Sequence, residues 1–217
     1  MDLMRAWARL LPPLAGVDDV TFAGARILQA HEQPHRHYHD LRHLTEVLTR
    51  IDELAPFAHD ADLVRLAAWF HDVVYEPART DNEDISAAVA ERVLLDLGVA
   101  PPRRAATARL VRLTATHYPA GDDPDGAVLC DADLAVLGAD SARYAEYCAD
   151  VRREYAHLAD EAFAAGRAEV LRQLIARESL FRTSLARSRW EARARTNVEL
   201  ELDRLSRAGG DPTHPAQ

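Results

Sequence analysis

The sequence contains no lysine, and all 26 of its basic residues are arginine. This absence excludes a Schiff-base enzyme and a Walker-type phosphate loop, because both chemistries need a lysine amine. Any phosphate group must then be held by arginine, histidine, hydroxyl groups, backbone N–H groups or a metal ion.

Cysteine and long apolar runs are also scarce. Cys130 and Cys148 are the only cysteines, so no disulfide scaffold is expected. No stretch approaches the ~18 apolar residues that a membrane-spanning helix needs. The first apolar stretch is broken by Pro12 and Pro13 and makes a poor signal peptide. We therefore expect a cytoplasmic protein with no membrane partner.

The chain also has no excess of positive charge. The chain has 35 acidic and 26 basic residues, for a net charge of −9. Such a charge repels a phosphate backbone, which argues against nucleic acid as a partner.

Strand-like alternation is rare, and apolar residues recur with helical periodicity along most of the chain. The pattern predicts helices at 2–11, 18–33, 36–54, 60–75, 82–97, 102–117, 126–138, 140–157, 159–178 and 188–208. Most of the prolines fall between these segments, as helix breakers do. The sequence thus predicts an all-α, single-domain helical bundle over residues 1–208, followed by a flexible C-terminal tail over residues 209–217.

The last predicted helix has one apolar face. Trp190, Ala194 and Val198 recur every four residues and should pack on the bundle. Glu201 is among the charged residues that we assign to the opposite, solvent-facing side.

Histidine and aspartate cluster at four places inside or beside apolar helical segments. These are HRHYHDLRH (35–43), His71-Asp72, His117 and the pair Asp131 and Asp133. Buried groups of this kind are normally paired or bound to a metal. Imidazole and carboxylate together suit a divalent ion, and helices that face one another can supply them.

The order His39, His71-Asp72, Asp131 resembles the signature of the HD-domain superfamily of metal-dependent phosphohydrolases. The stretches RHYHDLRHL, WFHDVVYEP, DNEDISA and DADLAVLG resemble a bacterial subgroup of small stand-alone members. In that subgroup the residue after the first histidine is more often Asn, whereas here it is Asp40.

The resemblance implies an all-helical fold and one divalent metal ion, with Mn, Fe, Co, Ni, Zn and Mg as candidates. It assigns His39, His71, Asp72 and Asp131 as the ligands. Two-metal members carry further histidines between the HD pair and the last Asp, and this interval contains only His117.

Two of these ligand assignments have neighbouring alternatives. His43 follows His39 by four residues and shares its face of the predicted helix. We prefer His39 as the ligand because it matches the family pattern, and we assign His43 to the substrate. Asp131 is preferred over Asp133, for which a cap or an arginine pair is the other interpretation.

The resulting hypothesis is a phosphohydrolase that uses metal-activated water on a small phosphorylated molecule, with nucleotides among the candidates. Asp72 and Glu83 are the catalytic candidates. The residues predicted to bind substrate are Arg42, His43, Arg79 and His117.

The alternative is a non-catalytic regulatory protein that binds a metal or nucleotide. A di-iron oxygenase would need more histidine ligands than we can place, and the oligomeric state is open, with a homodimer as one option.

Overall fold

The computed structural model describes residues 2–12 and 15–208, and all regular secondary structure in these ranges is helical. The predicted all-α class is confirmed. The predicted flexible tail, residues 209–217, lies outside the described residues. No helix in the described ranges is long and apolar enough to cross a membrane. Contacts within the chain divide it into two compact units, residues 1–133 and 134–217.

The described residues of the first unit form seven α-helices and one short 3-10 helix. The α-helices are α1 (Leu3–Ala8), α2 (Val17–His31), α3 (Leu41–Leu54), α4 (Ala61–Phe70), α5 (Asn82–Asp96), α6 (Pro101–Leu113) and α7 (Pro124–Asp133), and the 3-10 helix is Ala55–Phe57.

Helix α4 lies at the centre of the first unit and packs against α3, α5, α6 and α7. It can do so because it is apolar on nearly all sides, whereas a surface helix has a polar face. Its buried residues are Leu63, Val64, Leu66, Ala67, Ala68, Trp69 and Phe70. The chain therefore leaves α4 inside the unit, and the next residue, His71, is only 1% exposed.

Several helix ends differ from the prediction, and two of them lie at the histidine and aspartate clusters. The helix predicted over 36–54 begins at Leu41, because the Asp40 carboxylate caps it by accepting hydrogen bonds from the N–H groups of Arg42 and His43 at 2.8 and 3.1 Å. The helix predicted over 60–75 ends at Phe70. His39 and the 71–75 segment are therefore irregular backbone rather than helix.

The second unit contains three α-helices and a short 3-10 helix within its described residues. The α-helices are α8 (Ser141–Glu154), α9 (Asp160–Ile175) and α10 (Ser184–Ala208), and the 3-10 helix is Leu134–Gly138. Helix α10 packs against both α9 and the 3-10 helix.

Side chains of α10 bind the backbone at the end of that 3-10 helix. The Asn197 amide donates to the carbonyl oxygens of Leu137 and Ala139 at 2.8 and 2.9 Å. Gly138 lies so close to α10 that an added Cβ would come within 2.5 Å of the Cβ of Trp190 and 3.0 Å of its backbone. A side chain at position 138 would therefore force the two segments apart.

The assignment of Glu201 to the solvent-facing side of α10 is wrong. Glu201 is 6% exposed, and its carboxylate accepts hydrogen bonds from the Tyr144 hydroxyl at 2.5 Å and from Nε of Arg167 at 2.9 Å. Burial alone would raise the pKa of Glu201. The hydrogen bond and charge of Arg167, with the hydrogen bond of Tyr144, outweigh burial and lower that pKa.

Replacing Glu201 with Gln tests this buried pair. At neutral pH the variant leaves Arg167 without its counter-charge, which should lower the free energy of unfolding by about 3 kcal/mol. The folded-state pKa of Glu201 is depressed, so its contribution is present above the unfolded pKa and is lost as the pH falls. The difference between wild type and variant should therefore shrink between about pH 5 and pH 3 in urea unfolding followed by circular dichroism.

Glu199→Gln is the matched control, since Glu199 is an exposed residue of the same helix. It should change the free energy of unfolding by less than about 0.5 kcal/mol. A Glu201→Gln difference that stays constant down to about pH 3 would contradict the lowered pKa.

Candidate metal centre

His71 follows α4 directly, and the last turn of that helix fixes its ring. The Nδ1 atom lies 2.7 Å from the carbonyl oxygen of Ala68. A carbonyl oxygen only accepts hydrogen bonds, so Nδ1 carries the proton and, in the neutral ring, Nε2 presents a lone pair. Metal-binding histidines commonly use this arrangement, in which a backbone carbonyl sets the tautomer.

His43 approaches His71 from the first turn of α3. It is the third residue of that helix, and its own N–H is bound by the Asp40 cap. Its side chain is 2% exposed, and its Nε2 lies 3.1 Å from Nε2 of His71. The cap that sets the start of α3 therefore also sets the position of this imidazole.

Asp133, the last residue of α7, brings a carboxylate to the same place. Its Oδ1 atom lies 3.2 Å from Nε2 of His43 and 3.7 Å from Nε2 of His71. Asp131 precedes it by two residues, which is about 200° around a helix, so the two carboxylates leave α7 on different sides. Asp131 is fully buried, and it is not part of the group of possible metal ligands found among the described residues.

Asp72 completes a cluster of four donor groups. Its Oδ2 atom lies 2.9 Å from Nε2 of His71 and 3.4 Å from Nε2 of His43. The ligand atoms of His43, His71 and Asp133 all lie within 4.8 Å of one another, as atoms that share one metal ion do. We call His43, His71, Asp72 and Asp133 the central cluster.

The central cluster is strongly coupled electrostatically. Burial alone would lower the pKa of His43, but its hydrogen bonds to Asp133 and Asp72 outweigh burial and raise the pKa to about 10. The two carboxylates raise the pKa of His71 as well, against its burial. Conversely, burial would raise the pKa of each carboxylate, but the nearby histidines lower both, that of Asp72 to well below its usual range. The cluster therefore attracts cations, either protons on the imidazoles or a metal ion.

The two carboxylates of the central cluster keep a small contact with solvent. The side chains of Asp72 and Asp133 are 14% and 12% exposed, whereas those of both histidines are nearly inaccessible. His117 lies beside Asp133 with a side-chain exposure of 22%, and its Nε2 donates to Oδ2 of Asp133 at 2.7 Å. The carboxylates are therefore the part of the central cluster that solvent touches.

His39 lies beside the central cluster rather than within it. Its ring stacks on Tyr75 with centroids 4.0 Å apart, and its centroid is 5.6 Å from that of His43. It is still close enough to help lower the pKa of Asp72, after the larger effects of burial and His71. Because α3 begins at Leu41, His39 and His43 do not share a helical face.

The remaining predicted site residues lie on or near the surface. Nε of Arg42 pairs with Glu46 at 3.2 Å, and Arg79 binds both carboxylate oxygens of Asp81 at 2.9 and 2.8 Å. Glu83 is in the first turn of α5 and makes no hydrogen bond or ion pair with the described residues. Of the four predicted substrate-binding residues, His43 and His117 thus lie at the central cluster.

Arg36 holds the backbone around the central cluster. This buried side chain donates from Nη1 to the carbonyl oxygens of Asp72 at 2.6 Å and His39 at 3.1 Å, and from Nη2 to that of Val73 at 3.2 Å. One planar guanidinium therefore joins the segment before α3 to the segment after α4. The sequence gives no signal for this role, because the acceptors are backbone carbonyls, which every residue has.

No protein-family model, curated protein or solved structure matches the chain significantly. The case for a metal centre therefore depends on the geometry of the central cluster and on the resemblance seen in the sequence.

Replacing Arg36 with Met should lower the free energy of unfolding by about 3 kcal/mol. The substitution leaves three carbonyl groups without their donor in a place that water reaches poorly. Arg42→Met is the control, since Arg42 is about half exposed and its pair with Glu46 is a surface ion pair worth less than about 1 kcal/mol. Equal effects of the two substitutions on the free energy of unfolding in urea would contradict the role of Arg36 in holding these backbone segments.

Proposed function

We propose that this protein is a metal-dependent phosphohydrolase whose single divalent ion is held by His43, His71, Asp72 and Asp133. The observation that carries the proposal is the convergence of two imidazole nitrogens 3.1 Å apart with the carboxylate of Asp133, with Asp72 at 2.9 and 3.4 Å from the same nitrogens. Burying such groups together is costly unless a cation lies among them.

The donor set fits a divalent transition metal. Two nitrogen and two oxygen donors suit Mn, Fe, Co, Ni or Zn, while Mg would prefer more oxygen. The tautomer of His71 is already the one that ligation needs, because its Nδ1–H is bound to Ala68. Two neutral imidazoles and two carboxylates together carry two negative charges, which a divalent ion balances.

This ligand set changes the sequence-based one at two positions. His71 and Asp72 are common to both sets. His43 replaces His39, and Asp133 replaces Asp131, because these are the side chains whose donor atoms point to one centre. The His39 and Asp131 assignments stay a prediction that a metal-binding experiment can decide.

The proposed chemistry involves the carboxylates, which are the part of the central cluster that solvent touches. When bound, a divalent ion makes water more acidic and withdraws electrons from a phosphoryl oxygen. Asp72 is partly exposed and is the carboxylate that we propose to accept a proton from attacking water. Glu83 stays a second candidate for this role because its carboxylate is not hydrogen-bonded to the described residues.

Arg42 and Arg79 stay candidates for phosphate binding. Both are exposed and engaged in surface ion pairs, and such pairs are weak enough for a phosphate to compete with the carboxylate partner. Arg42 is the better placed of the two in sequence, since it directly precedes His43. We propose a small phosphorylated molecule as substrate, with nucleotides included.

Metal binding tests the ligand set directly. Chelator-treated protein titrated with Mn²⁺, Co²⁺, Ni²⁺ or Zn²⁺ in a calorimeter should bind one ion per chain. His43→Ala and Asp133→Asn should each weaken binding by at least about 100-fold, because each removes a donor atom. Circular dichroism should show that the variants remain folded.

His39→Ala and Asp131→Asn are the matched partners of these variants. If they leave the affinity within about tenfold of wild type, the ligand set proposed here is supported. If instead they abolish binding while His43→Ala and Asp133→Asn do not, the sequence-based set is the correct one.

Phosphate release tests the activity. The metallated protein should hydrolyse at least one member of a panel of phosphomonoesters, phosphodiesters and nucleotides. Asp72→Asn should lower kcat/KM by about a thousandfold, because it removes both a ligand and the proposed proton acceptor. His59→Ala, at an exposed position of the first unit, should leave turnover unchanged.

The alternative function predicts another outcome of the same screen. Metallated protein that binds a nucleotide tightly but forms no product with any metal would favour the non-catalytic regulatory protein. It would leave the proposed metal ligands in place and remove the hydrolase assignment.

A further inference from the structure

His117 has a backbone conformation that few non-glycine residues adopt. Its φ angle is 48°, and it is the only non-glycine residue with positive φ among those the structure describes. It lies just beyond the end of α6, and its N–H binds the carbonyl oxygen of Leu113 at 3.0 Å. Glycine is the usual residue in this left-handed conformation after a helix, because a Cβ is strained there.

Strain of this kind persists only where the surroundings hold the residue in place, and it is concentrated at functional sites. The contact that this conformation allows is the short hydrogen bond from Nε2 of His117 to Oδ2 of Asp133. The two oxygens of this carboxylate have separate partners. Oδ2 binds His117, while Oδ1 faces the imidazoles of His43 and His71.

We propose that His117 is a positioning residue that orients Asp133 toward the central cluster. This inference rests on the metal centre proposed above and adds the residue that fixes one of its ligands. It also replaces the predicted phosphate contact of His117 through Nε2, because that single N–H already has an acceptor. Carboxylate ligands of metals are commonly held by hydrogen bonds of this kind, and losing such a partner weakens metal binding about 10–100-fold.

Three substitutions separate the hydrogen bond from the backbone strain. His117→Ala removes the hydrogen bond and keeps the strain. His117→Gly removes both, since glycine adopts positive φ freely. His117→Gln keeps an N–H donor at a reach similar to that of Nε2. His59→Ala serves as the control for loss of an exposed imidazole from the same unit.

The measurement is a titration of metal-free protein with Co²⁺, followed by the visible absorption of the bound ion. The His117→Ala and His117→Gly variants should both bind Co²⁺ about 10–100-fold more weakly than wild type and show a changed spectrum. The His117→Gln variant should restore the affinity and the spectrum toward those of wild type. The metal-free Gly variant should melt about 2–4 °C above the Ala variant, because only Ala retains the strain.

A purely structural role for His117 gives a different pattern. If Co²⁺ affinity follows the melting temperature, so that Gly binds like wild type and Ala does not, the positioning role is refuted. It is equally refuted if all three variants bind like wild type. If wild type itself binds no Co²⁺, Mn²⁺, Ni²⁺ or Zn²⁺, the metal centre and this inference fall together, and the wild-type titration separates that case from the others.

Discussion

The crowding of four donor groups in a nearly closed space is the constraint around which the first unit is organised. Two imidazole nitrogens 3.1 Å apart present lone pairs to each other unless a proton or metal ion lies between or beside them. The two carboxylates repel each other in the same way without a cation. The groups are therefore stable only as a set, and each must be held by structure outside the set. The apolar helix α4, the Asp40 cap and the Arg36 guanidinium supply that support through backbone contacts.

The helices themselves could be predicted from the sequence, because apolar periodicity marks each of them. Their ends were predicted less accurately, and the ends decide which side chains meet in the central cluster. The prediction continued one helix back to residue 36, which put His39 and His43 on one face. The Asp40 cap begins that helix at Leu41 instead. An aspartate directly before an apolar periodic segment is a capping signal, so the sequence did contain the information. The family pattern, in which the first histidine is the ligand, was given more weight.

The choice between Asp131 and Asp133 could not be made from the sequence, because α7 is buried on most of its surface. Both positions have apolar neighbours, and only the packing of the helix shows which side faces the histidines. The error at Glu201 is different in kind. Ala194, Asn197 and Glu201 follow the 3–4 spacing of a buried stripe, but the charge of Glu201 led us to assign it to the solvent-facing side. Its partner Arg167 is 34 residues away, and a buried ion pair of such separation is invisible to local patterns.

The contacts of Arg36 bear on the charge at the central cluster. Arg36 donates to three backbone carbonyls, which its fork-shaped guanidinium can reach at once. Its charge stays near the centre while Asp72 and Asp133 keep oxygens directed at the imidazoles. With neutral imidazoles the two carboxylates of the central cluster carry two negative charges. These two charges, together with the two nitrogen donors, are the features on which the proposed divalent site depends.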